Sequence, residues 1–195
     1  PDSEDASSSL SEPFEARCNG HWKTVASMGD PITVTFPSGL ARPVYRMAMA
    51  DGMTIAQATG ARDVAVRLGL DDAATGRLTR LLVQTGIWKA LQSERLSWLK
   101  KKLSHNPSAT GAPHEIVIEV AGVDQTGRQV TLSAALLDPA GQSHLTAVGA
   151  AAGIERLLGF GKTAIRPGLA VPETAPDPIR LIELLRANGV QLSMA

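Results

Sequence analysis

A chain of 195 residues, 44% of them apolar, suffices for one domain with a core, and its 18 glycines and 12 prolines demand many turns. Nineteen basic residues balance nineteen acidic ones, which removes any overall pull toward nucleic acid or an anionic membrane surface. The single cysteine, Cys18, excludes an intrachain disulfide and fits a reducing, cytoplasmic setting, and no apolar run reaches membrane-spanning length.

Residues 1–20 are acidic and serine-containing and predict a flexible segment. There is no initiator methionine and no signal-peptide pattern, so an upstream part is expected to be missing from this polypeptide. Residues 21–195 are expected to form a single domain. Ile32-Thr-Val-Thr-Phe36 alternates between Asp30-Pro31 and Pro37-Ser-Gly39 and predicts a half-buried strand. Pro43 to Met49 predicts a second extended piece, and the alternation of Val64, Val66 and Leu68 with polar neighbours a third.

Asp71-Asp72 marks a helix start, and Leu78, Leu81 and Leu82 at helical spacing carry that helix to about Thr85. A second helix is expected from Trp88 to about Leu103, followed by a linker over Asn106–Pro113. A hairpin then spans 115–137 around the turn Asp124-Gln-Thr-Gly127. Ile116, Ile118, Val120, Val130, Leu132, Ala134 and Leu136 should make one dry face, and Glu115, Glu119, Gln129, Thr131 and Ser133 a wet one.

After the turn Asp138-Pro-Ala-Gly141, a buried helix is expected over Leu145–Leu158, with Gly149 and Gly153 admitting another backbone. A Pro-Gly loop at Arg166-Pro-Gly168 and a short helix ending at Ala187-Asn-Gly189 complete the chain. The fold class is therefore α+β: a mixed, largely antiparallel sheet with helices packed on one face.

Several chemistries are excluded by spacing. No Gly-x-Gly-x-x-Gly occurs, so no dinucleotide fingerprint exists in the chain. Gly159-Phe-Gly161-Lys162-Thr163 imitates the end of a phosphate loop, but Arg156 stands where such a loop needs glycine, and the segment leaves a helix rather than starting one. His21, His105, His114 and His144 lack metal-ligand spacing, and no Gly-x-Ser-x-Gly elbow is present. Arg77, Arg80, Lys89, Arg95 and Lys100–Lys102 face one acid, Glu94, over 77–102. Such a run is either a solvated face or, with Trp88 and Trp98, a surface for an anionic partner. The solvated face is favoured, so neither a nucleic-acid nor a membrane partner is expected.

Thr35-Phe-Pro-Ser-Gly39, Arg42-Pro-Val-Tyr45, Asp51 and Gly60-Ala-Arg-Asp-Val-Ala-Val-Arg-Leu-Gly-Leu70 come in that order, ahead of the hairpin, the alanine-rich helix, the Pro-Gly loop and the final helix. Over residues 30–90 and 115–190 this order resembles the C-terminal, substrate-binding and dimerisation domain of saccharopine-dehydrogenase-like oxidoreductases. The family more often carries glutamate where Asp51 stands, and its N-terminal nucleotide domain has no counterpart here. The resemblance implies NAD(P)-dependent chemistry at a carbon–nitrogen bond of an amino-acid-like substrate, and a homodimer. It implies that this polypeptide alone holds no cofactor and is inactive, NAD(P) sitting on an upstream domain.

In that setting Arg42 and Tyr45 are candidates for gripping a substrate carboxylate, with Asp51 beside them. The alternative is a surface arginine and a tyrosine packed into the sheet. Thr146 offers a hydroxyl at the apolar helix, and Arg166 lies in a loop that either lines a cleft or merely connects. His144 is either an acid–base group or an exposed first-turn residue behind a Ser143 cap. A non-catalytic homodimerising module is the alternative for the whole domain.

Overall fold

The computed structural model describes residues 9–70, 72–91, 112–160 and 177–194. Its fold is α+β, with antiparallel strand pairs in each of three small sheets among these residues. The chain divides into two compact units, whereas the sequence treats 21–195 as one. The first holds residues up to Val34 and Ala41–Asn106, the second Thr35–Leu40 and everything from Pro107 onward.

The first unit begins inside the stretch expected to be flexible. Ser9–Ser11 makes a single 3₁₀ turn, and β1 (Phe14–Cys18) pairs with β2 (His21–Val25) from Phe14↔Val25 to Cys18↔His21. The cause is local. Asn19-Gly20 takes the left-handed conformation at both residues (φ 52° and 80°), the tight-turn signature that brings two strands back onto each other. The tip is anchored by the Gly20 N–H donating to the Arg62 carbonyl and the Asn19 N–H to Asp63 Oδ1 at 2.7 Å. Ala16 is buried by this arrangement.

A second sheet has the order β3 (Ile32–Thr35), β4 (Ala41–Arg46), β5 (Arg67–Gly69). Helix α1 (Ala50–Thr59) follows β4 where the sequence pattern continued an extended piece to Met49, and it closes on Gly60 in the left-handed conformation. Helix α2 (Ala73–Gln84) starts at Asp72, whose side chain accepts from the Ala74 and Thr75 N–H groups. Gly76 in α2 is the point of closest approach to the sheet: a Cβ there would meet the Tyr45 ring at 3.2 Å. Tyr45, 2% exposed, is thus the packing centre of this unit with Val44, and Trp88 and Leu91 of α3 (Ile87–Leu91) are buried too. The expected continuation of α3 to Leu103 lies outside the described residues.

The second unit is built on a hairpin of β6 (His114–Val123) and β7 (Gln129–Asp138), with β8 (Gln191–Met194) paired to Ala134–Leu137 only. Helix α4 (Gln142–Leu157) and helix α5 (Pro178–Ala187) supply Val148 and Leu185 to a core with Val190, against which Leu136 and Leu192 pack. Register puts Ile116, Leu136 and Leu192 on that helix-covered face. Arg180 of α5 grips Glu155 of α4 through two 2.8 Å bonds and holds the Glu155 carboxyl below its ordinary range.

Two expectations about burial fail here. The apolar face of the hairpin is dry only at its inner end: Ile118, Val120 and Leu132 are 48%, 58% and 61% exposed, because they extend past the helix-covered core. Helix α4 is not buried all round either. Val148 is its buried residue, Ile154 and Leu157 are exposed, and among the described residues nothing lies within 4 Å of where a Cβ would stand at Gly149 or Gly153. No second backbone among the described residues approaches these glycines.

Candidate functional site

Among the predicted substrate residues, Arg42 and Tyr45 share β4 but stand three positions apart, so strand alternation directs them to opposite faces. Tyr45 is enclosed under Gly76, and Arg42 is half-buried with its charge acting on Asp72, the α2 cap. Thr75, through its hydroxyl and its N–H, is the main cause of the lowered Asp72 pKa, ahead of Arg42. Asp51 is exposed in the first turn of α1, where a negative charge favours the helix dipole and Met49 provides no side-chain cap. Thr146 is exposed on α4 in the other unit, and Arg166 lies outside the described residues.

Near β4 the first unit gathers a charged cluster. Asp30, in the left-handed conformation, accepts from Arg46 Nε at 2.9 Å and from Arg67 Nη2 at 2.5 Å. Arg67, then Arg46, hold its carboxyl below the ordinary value. The adjacent crevice lined by Arg46, Met47 and Val66 has a volume of about 10 Å³, room for one water and no larger ligand.

The second unit carries a roomier feature on the wet face of its sheet. Phe36-Pro37-Ser38-Gly39 makes a turn with proline at its second position, closed by the Gly39 N–H to the Phe36 carbonyl at 2.8 Å. Ser38 fastens that turn to β6, its N–H and hydroxyl donating to Glu115 Oε1 and Oε2 at 2.6 and 3.0 Å. Between the turn and the sheet runs an open groove of about 250 Å³, floored by Val117, Glu119, Ser133, Ala135 and Ser193 and walled by Thr35, Phe36 and Pro37. Small residues on β7 and β8 leave the space, while Glu119 opposite Ser133 sets a carboxylate beside a hydroxyl. The alternation in the sequence marks this face as wet; the turn that roofs it comes from a distant segment and leaves no local signal.

On the other face of the same sheet, at its far end, Asp138 is completely enclosed, at 0% exposure. Its Oδ1 accepts the Ala140 N–H at 2.9 Å, and His144 Nδ1 lies 2.7 Å from Oδ2. Burial pushes the carboxyl pKa up, yet the His144 bond, the Ala140 N–H and the charges of His144 and His114 outweigh it and leave the group below its ordinary value. Helix α4 begins after Gly141 rather than at Ser143, so His144 stands in the first turn with Asp138 beneath it, its side chain 35% exposed. The sequence marks Asp138 only as a turn residue; that its second oxygen orients a histidine six positions on is a tertiary fact.

No group of three or more His, Cys, Asp or Glu side chains among the described residues is arranged to hold a metal ion, and no helix among them is long and apolar enough to cross a membrane. No family model matches the chain, and no curated protein matches it in sequence.

Proposed function

We propose that the second unit binds a small amino-acid-like molecule, as the substrate-binding and dimerisation part of a cytoplasmic, saccharopine-dehydrogenase-like, NAD(P)-dependent oxidoreductase acting on a carbon–nitrogen bond. The observation that carries this reading is the groove beside Glu119, Ser133 and Ser193 under the Phe36 turn. A carboxylate pairs with an ammonium, serine hydroxyls donate to a carboxylate, and the Phe36 ring covers an aliphatic chain. The motif order over 30–90 and 115–190 supplies the family and the chemistry. Arg42, Tyr45, Asp51, Thr146 and Arg166 enter the proposal from that resemblance alone. NAD(P), in this reading, belongs to another segment.

Titration of the ¹⁵N-labelled chain with an N-(carboxyalkyl)amino acid tests the proposal. Saturable shifts at Glu119, Ser133 and Ser193, weakened about tenfold by Glu119→Gln, are expected. Shifts scattered elsewhere, or none, would sink it. NADPH added alone should leave the spectrum unchanged.

The uncovered strip of Ile118, Val120, Leu132 and Met194 favours a second reading, a homodimerising module without a ligand. Dimerisation with no response to any amino acid would select it.

A further inference from the structure

The pair Asp138–His144, of which only Asp138 is enclosed, plays no part in the groove, which opens on the opposite face of the sheet. We propose that these two residues form an acid–base site in which Asp138 positions the imidazole and His144 Nε2 accepts a proton from a hydroxyl donor, water or a ligand alcohol. A tight turn at Asp138-Pro-Ala-Gly141 needs one carboxylate oxygen, and Oδ1 serves it through the Ala140 N–H. Oδ2 is spent on His144 Nδ1 instead, at 2.7 Å.

Two consequences follow from the chemistry of that contact. A carboxylate with a lowered pKa is ionised at neutral pH and can only accept, so Nδ1 carries the proton and the lone pair of the neutral ring resides on Nε2. Asp138 is fully enclosed while the His144 side chain is 35% exposed. With Nδ1 turned to the carboxylate, Nε2 lies on the side of the ring away from it. His114, directly across from Asp138 in the β6–β7 register, is a further ionisable group whose charge reaches the carboxylate. In the step proposed, the donor's O–H bond breaks with its electron pair left on the oxygen, Nε2–H forms, and Asp138 remains ionised against the resulting imidazolium.

Two measurements on the full chain decide this. Long-range ¹H–¹⁵N correlation at a pH where the ring is neutral should find His144 with Nδ1 protonated and Nε2 bare; the opposite tautomer would overturn the proposal. Acylation by diethyl pyrocarbonate, mapped to each histidine by mass, should modify His144 readily, and Asp138→Asn should slow that residue several-fold while His21 keeps its rate. An unchanged His144 rate in a folded Asp138→Asn protein would refute the positioning role. Should that variant fail to fold, the tautomer in the unaltered chain remains decisive.

Discussion

Asp138 has both oxygens engaged inside the protein, so removing the carboxylate leaves the Ala140 N–H and the His144 ring without their acceptor. Asp138→Ala should lower stability by about 2 kcal/mol, within the usual range for stranding buried polar partners, as measured by chemical denaturation. Asp138→Asn, which retains an acceptor for Ala140, should cost less. The folded-state pKa of Asp138 and of Asp30 lies below the ordinary aspartate value of 3.8. Each therefore contributes stability that is complete above that value and is lost as pH falls through the folded pKa. Melting temperature should stay level with respect to these two groups between pH 5 and 7, by this principle, and fall below about pH 4. Asp30→Asn should flatten that acid limb; an equally steep limb in the variant would contradict the assignment to Asp30.

Among the elements, α2 is held to the sheet by the absence of a side chain at Gly76. Adding a methyl group gains about 1 kcal/mol of helix propensity. It also brings that methyl to 3.2 Å from a tyrosine ring with nowhere to move. Overpacking of this kind costs roughly 1–3 kcal/mol. Gly76→Ala should thus be neutral to destabilising rather than stabilising, and Gly76→Val clearly destabilising in denaturant melts. Helix α2 was legible in advance because its signals are local: an aspartate cap and leucines at helical spacing. Helix α1 was not. Met49 gives no cap, Gly52 lies inside, and few large side chains mark a face, so only Gly60 announces its end. The Asn19-Gly20 turn was legible in principle, but the acidic, serine-rich context drew the whole stretch into a flexible segment.

For the whole molecule, periodicity told which hairpin residues share a face but not how far the helices would cover it. Coverage depends on where α4 and α5 dock, and that is decided by Val148, Leu185 and Val190 together. The same gap explains the candidate site. Glu119 and Ser133 are visible as wet residues, whereas the groove requires Ser38 to reach Glu115 across 77 positions of chain. Leaving Ile118, Val120, Leu132 and Met194 exposed favours self-association. Sedimentation should show a concentration-dependent dimer that Leu132→Asp shifts to monomer with the melting temperature little changed. A monomer at all concentrations in the unaltered chain would remove dimerisation from the proposed function.

Strand β8 meets β7 only along Ala134–Leu137, so Gln129–Ser133 lacks this third-strand partner. Two strands alone in water are marginal. The hairpin should therefore loosen from its turn inward: amide hydrogens near Thr131 should exchange with deuterium well before those near Leu136, and a protease should nick the tip first. Whatever occupies the strip in the cell would be revealed by the slowing of that exchange.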